Sequence, residues 1–136
     1  GNWERIIDFG QGTADDNILL AREGTTNTLT FEMYNASSIS LSVDLTNGVL
    51  NNAWGFYGFR ANGSTYRLFN HLTSISGTST ALPTNVSRNL NYIGRSNWPD
   101  AYFQTYMGVL AIYNRALSDS EITQFYNVHK SRYGLT

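Results

Sequence analysis

Along most of the chain, apolar and polar residues alternate in short runs broken by turn residues, a pattern of strands rather than of helices. The clearest run is Ile39-Ser-Leu-Ser-Val-Asp-Leu45. A period of two places Ile39, Leu41, Val43 and Leu45 on one face and Ser40, Ser42 and Asp44 on the other. Further strands are expected at Trp3–Phe9, Ile18–Arg22, Thr28–Tyr34, Trp54–Arg60, Thr65–Asn70, Leu90–Gly94 and Phe103–Tyr113. Asn47-Gly48 and Asn62-Gly63 are strong turn signals, the second joining two strands as a hairpin. Residues 74–88 are polar, contain Pro83, and read as a segment wrapping an edge. Within Trp54–Phe59, the core is the default for Trp54 and Phe56, while Tyr57 is left open.

One helix is expected, and it comes late. Ser118-Asp-Ser-Glu121 carries the reciprocal capping pattern, a hydroxyl at the cap and a carboxylate three residues on. Ile122, Phe125, Tyr126, His129 and Tyr133 then fall on one helical stripe, and Gly134 is the stop. About eight strands followed by one short helix give an all-β fold, a two-sheet antiparallel sandwich with a C-terminal helix, and its 136 residues fit a single domain over 1–136.

Composition narrows the function. Charged residues are 14% of the chain, against about a quarter in ordinary domains, so Ser, Thr, Asn and Gly carry the surface polarity. A net charge of −1 with dispersed basic residues argues against nucleic acid as a partner. No apolar run is long enough to span a membrane. The absence of cysteine removes disulfides and thiolate metal sites together.

Catalysis is disfavoured on the acids. Glycoside hydrolysis needs two carboxyls about 5–10 Å apart across the scissile bond. Glu4 and Asp8 share a strand face, but four residues of strand separate their Cα atoms by about 13 Å. His129 reads as a packing residue of the helix and His71 as a surface residue, so no nucleophilic triad forms. The chain is therefore expected not to be an enzyme.

Two other clusters remain. Asp15, Asp16 and Asn17 gather hard oxygen ligands that could hold calcium, or form a solvated turn whose side chains cap their own backbone. In Ser96-Asn-Trp-Pro-Asp100, Trp98 offers a flat aromatic face in a polar loop, with Arg95, Asn97 and Asp100 as hydrogen-bonding neighbours. That combination suits a sugar ring. Equally, Trp98 could fold back as a lid on the sandwich edge. Tyr57 is a further ligand-binding candidate.

Tyr92-Ile-Gly-Arg-Ser-Asn97, the closing run Val109-Leu-Ala-Ile-Tyr-Asn-Arg-Ala-Leu-Ser118 with Glu121-Ile122, and Arg5-Ile-Ile-Asp-Phe-Gly10 resemble laminin-G-like jelly rolls of the concanavalin A-like lectin/glucanase superfamily. The helix and tail, Gln124–Gly134, are similar to C-termini of such domains in viral and phage structural proteins. Gly108-Val109 stand where the family commonly has an acidic pair, so no role of that pair carries over. The resemblance implies a jelly-roll sandwich and a rim loop suited to calcium. It also implies one or two strands before Arg5, which this sequence lacks. Two expectations follow: the Phe103–Tyr113 edge self-associates or takes a strand from another chain or segment, and the domain is extracellular or on a virion surface. The leading functional expectation is a non-catalytic module recognising a glycan or a cell-surface receptor. The alternative is a structural domain of a fibre, spike or capsid decoration with no small-ligand site.

Overall fold

In the computed structural model, which describes residues 1–136, the first sheet orders its strands β4-β3-β2-β1-β8 and the second orders β5-β6-β7. The strands are β1 (Arg5–Gly10), β2 (Ile18–Arg22), β3 (Leu29–Asn35), β4 (Ser38–Leu45), β5 (Tyr57–Asn62), β6 (Thr65–Asn70), β7 (Ser74–Thr78) and β8 (Leu90–Ile93). Every pairing is antiparallel. The expected all-β, two-sheet sandwich is present, and one helix follows it.

Alternation decides which residues make the core. Leu29, Phe31 and Met33 of β3 meet Val43 and Leu45 of β4 and Leu20 of β2, and Leu68 of β6 closes the cluster from the second sheet. Phe31 stacks on Phe59 of β5 with ring centroids 3.4 Å apart and planes 2° from parallel, joining the two layers. The even register of β3 and β4 breaks at a bulge. Met33 pairs with Leu41 but Tyr34 pairs with Ile39, leaving Ser40 as the extra residue, its hydroxyl donating to the Met33 carbonyl. The bulge turns Ile39 out of the core, where the alternation had placed it, and leaves it 52% exposed.

The second sheet reverses one assignment. Tyr57 and Phe59 pack against the core, while Phe56 faces away and meets Phe125 and Tyr126 of the helix α1 (Asp119–His129). Trp54 is exposed and leans on Tyr133 at 4.7 Å. Core was therefore the wrong default for Trp54 and Phe56. The reason is the helix: by covering the outer face of this sheet it gives that face aromatics as well, which a two-layer reading does not foresee.

Helix α1 starts as its sequence dictates. Ser118 accepts from the Glu121 amide, and Glu121 accepts from the Ser118 amide. The Arg115 side chain and the Ser118 amide hold the Glu121 carboxyl down at about 2. Arg60 of β5 and Arg67 of β6 both reach Asp119 in the first turn, at 2.7 and 2.8 Å, fastening the helix to the sheet. The helix runs on as a 3-10 turn (Lys130–Tyr133) and stops at Gly134, whose φ of 65° suits a residue without a Cβ.

Two further expectations are corrected. Residues 74–88 are not all wrapping coil, because Ser74–Thr78 forms β7 beside β6. More consequentially, Phe103–Tyr113 is not a strand. From Gln104 to Ala116 the backbone makes no hydrogen bond to another backbone group. Its apolar alternation is real, but a ladder needs a partner.

Candidate functional site

The loop from Gly94 to Phe103 returns over the outer face of the first sheet, pinned where the Gly94 amide donates to Ile6 and the Phe103 amide donates back to the Gly94 carbonyl. Beneath it lies Asp8, which is fully buried. The outer face carries Asp8 because Ile7 and Phe9, its neighbours on β1, point to the core side alongside Leu20 and Ile18.

A buried carboxylate must be fully hydrogen-bonded or it costs several kcal/mol. Asp8 accepts from the Asn17 side-chain amide at 2.8 Å, from the Asn97 backbone amide at 2.8 Å and from the Asn97 side chain at 3.0 Å. Arg5 approaches to 3.9 Å. Asp8 thereby ties three separate pieces of chain: its own strand, the 11–17 turn and the 94–103 loop. Gly10 makes room for this, since a Cβ there would collide with the Asn17 carboxamide.

Around this hub the loop side chains divide into committed and free. Asn97 is spent on Asp8 and the Leu90 carbonyl. Asp100 accepts from Ser96 and forms an ion pair with Arg5 at 3.1 Å. The buried Arg5 guanidinium lies about equally between the rings of Trp3 and Trp98, at 5.1 and 5.2 Å. Trp98 is half-buried, with its ring 5.5 Å from that of Tyr34. It is thus a lid with one surface left outward. Arg95 is exposed, forms no ion pair, and rests over the ring of Tyr92 at 4.4 Å. Asn97, Trp98 and Asp100 are thus gathered around Asp8, Arg5 and Ser96, while Arg95 turns to Tyr92. Tyr57 does not join them: it sits on the second sheet against the core, its hydroxyl accepting from the Leu50 amide. Burial pushes the Tyr57 phenol up.

The 15–17 turn uses most of its oxygens internally. The Asn17 side-chain oxygen accepts from the Asp15 amide, Asp16 accepts from the Ala36 amide, and both Asp16 and Asn17 are buried. Left over are the exposed Asp15 carboxylate and the second oxygen of Asp16. No third acidic, histidine or cysteine side chain gathers with them. Against the six to eight oxygens that calcium takes, this donor set does not fit a closed cage.

Sequence reasoning missed a second pair of acids because they lie on different strands. Glu32 pairs across from Ser42 and Thr30 from Asp44, so Glu32 and Asp44 are diagonal neighbours on the outer face. Tyr34 donates to Glu32 at 3.2 Å. Burial, ahead of all other causes, pushes the Glu32 carboxyl up, and burial with the adjacent Glu32 charge pushes Tyr34 up to about 12. Cross-strand register, unavailable from one sequence, is the signal that would have found this pair. Two surface grooves lie away from it. One is lined along α1 by residues such as Thr123 and Asn127, the other at its start by Arg60, Leu117 and Glu121.

Glu32 holds its proton more tightly folded than unfolded. Its contribution to stability is therefore present below 4.5 and lost as pH rises through the higher folded value. Glu32→Gln removes that loss. The variant should melt above the wild type at neutral pH, with the gain vanishing below 4.5, as followed by thermal melts across pH. A gain that persists at acid pH contradicts the burial origin of the shift.

A family model described as "Laminin_G_3: Concanavalin A-like lectin/glucanases superfamily" matches residues 1–123. No curated protein matches the chain. Among solved structures, an S-layer domain-containing protein from Clostridium thermocellum is similar at 20% identity and a TM-score of 0.48. The match covers 91% of this chain and 63% of that one, so the chain spans less than two thirds of that structure.

Proposed function

Because this chain belongs to the Laminin_G_3 family of the concanavalin A-like lectin/glucanases superfamily, we propose that it is a non-catalytic recognition module, binding a glycan or a cell-surface component through the Arg95–Asp100 loop. The observation that carries this reading is the division of labour in the loop. Asn97 and Asp100 are locked onto Asp8 and Arg5, so they hold the backbone rigid. That bracing presents the outward side of Trp98 in a loop that also carries the exposed, unpaired Arg95 guanidinium. An apolar ring face beside planar donors is what recognition of a sugar or of an acidic surface group requires. Extracellular or virion-surface placement belongs to the same proposal.

Absence of catalysis is part of it too. Asp8 is fully buried under its donors, and Glu4 is buried and faces Arg22 at 3.8 Å. Neither can reach a glycosidic bond. Glu32 and Asp44 line neither of the two grooves along and beside α1.

A glycan array tests the proposal. The wild type should retain a subset of glycans, Arg95→Ala should lose roughly tenfold or more in affinity, a change of about 1.4 kcal/mol, and the bound glycans should be recovered intact. Equal retention by Arg95→Ala, or cleavage abolished by Glu32→Gln, contradicts it. The second reading, a structural domain of a larger assembly, draws on one observation: the exposed apolar stretch that includes Tyr102, Tyr106, Val109 and Ile112.

A further inference from the structure

Asparagine before glycine is a step at which a chain can react with itself. The glycine nitrogen can attack the asparagine side chain, and no Cβ stands in the way. Two such steps occur here, Asn47-Gly48 and Asn62-Gly63, each at a turn. The structure sets them in opposite states.

Gly48 is buried, and its amide donates to the Leu45 carbonyl at 2.9 Å. Its carbonyl accepts from the Asn70 side chain at 2.8 Å. The backbone is packed so closely that a Cβ on Gly48 would lie 2.6 Å from the Leu45 carbonyl oxygen and 2.8 Å from Leu29. The nitrogen that would have to attack is engaged and held on all sides.

Gly63 is the reverse. It sits in the hairpin between β5 and β6, where residues 61–65 are all exposed. Its amide donates to no backbone group and to no side chain, and nothing lies within 4 Å of a Cβ built on it. The Thr65 hydroxyl donates to the Asn62 carbonyl at 3.0 Å. That bond draws electron density out of the peptide joining Asn62 to Gly63 and makes the Gly63 N–H more acidic. The attacking group is therefore free, uncrowded and activated.

We propose that Asn62 is a self-modification site, converted to aspartate and isoaspartate in the folded protein while Asn47 is preserved. The Gly63 nitrogen gives up its proton and bonds to the Asn62 side-chain carbonyl carbon. The bond from that carbon to the carboxamide nitrogen breaks, and ammonia leaves with the proton, closing a succinimide. Water then opens the ring at either carbonyl. Opening at the side-chain carbon restores the ordinary backbone as aspartate, and opening at the main-chain carbon routes the backbone through the side chain as isoaspartate. The net change is one water in and one ammonia out. Conversion adds a negative charge to the groove that Asn62 shares with Arg60 and Glu121 at the start of α1. Isoaspartate also lengthens the backbone where Asn62 pairs with Thr65 to close the hairpin.

The test holds the folded chain at mildly alkaline pH, below its melting temperature, and follows each asparagine peptide by mass after digestion. The Asn62 peptide should gain the mass difference between a hydroxyl and an amino group, with one heavy oxygen added in heavy-oxygen water. It should convert roughly tenfold or more faster than the Asn47 peptide, the factor that an opening cost of about 1.4 kcal/mol at Gly48 imposes. Urea, by freeing the Gly48 amide, should close the gap. Asn62→Gln, whose longer side chain must close a six-membered ring, should remove the fast conversion and the new acidic peak on anion exchange while the Asn47 rate stays unchanged. Equal rates at the two steps in the folded chain overturn the proposal. So does a gap that persists unchanged in urea, or an Asn62 peptide that keeps its mass.

Discussion

Asp8→Ala should cost about 3–5 kcal/mol, the range found when one partner of a buried charged pair is removed. The carboxylate is fully buried and accepts three hydrogen bonds from Asn17 and Asn97, all of whose donors would be left facing a void too closed for water to repair cheaply. Arg5 would also lose the farther of its two carboxylate neighbours, keeping Asp100 at 3.1 Å but no longer facing Asp8 at 3.9 Å. For a domain of this size that loss lowers the melting temperature by roughly 10–20 °C. Because Asp8 also orients the loop through Asn97, near-ultraviolet circular dichroism from Trp98 should change even in the fraction that stays folded. A loss below about 1 kcal/mol would show that the three donors reach solvent and that the hub is not what fixes the loop.

Phe31→Ala should cost a similar amount, about 3–5 kcal/mol, for a different reason. Its ring is 6% exposed, packs among Leu29, Met33, Val43 and Leu68, and stacks on Phe59 across the sandwich. Truncation leaves a cavity between two sheets that cannot both collapse into it, and it unlinks the layers at their one face-to-face aromatic contact. Leu110→Ala is the control. Leu110 is an equally apolar residue in the unpaired segment, and its truncation should fall within about 0.5 kcal/mol of the wild type in chemical denaturation at low protein concentration. Equal losses at the two positions would contradict the placement of the core.

The contrast between these two residues shows what the sequence could reveal. Phe31 and Val43 lie in runs whose period of two is long enough to name the buried face, so the core of β3 and β4 was legible. Leu110 lies in a run just as apolar, and the same rule gave a strand that does not form. Alternation reports that a segment is fit for a sheet, not that a neighbour exists to pair with it. Ile39 failed at a finer scale, because one bulged residue reverses every face beyond it. Phe56 failed because the rule assumes two layers, while α1 adds a third.

The candidate site was legible in part. Asn97, Trp98 and Asp100 were found through their composition, a tryptophan set in a polar loop. Their partners were not, because Asp8 and Arg5 lie about ninety residues away and only the fold brings them together. The same distance hides why Asn97 and Asp100 anchor the loop while Arg95 stays free. Glu32 and Asp44, twelve residues apart, needed a register that local pattern does not supply.

The central claim is that recognition occurs on the outer face of the first sheet, at Arg95 and the exposed side of Trp98. Amide chemical-shift mapping during titration with a glycan retained on the array tests it most directly. The account predicts saturable shifts concentrated at Tyr92, Arg95, Trp98 and Tyr34, reduced in Arg95→Ala. Shifts gathered instead along the exposed side of α1, from Asp119 to Val128, or none at saturating ligand, would contradict it.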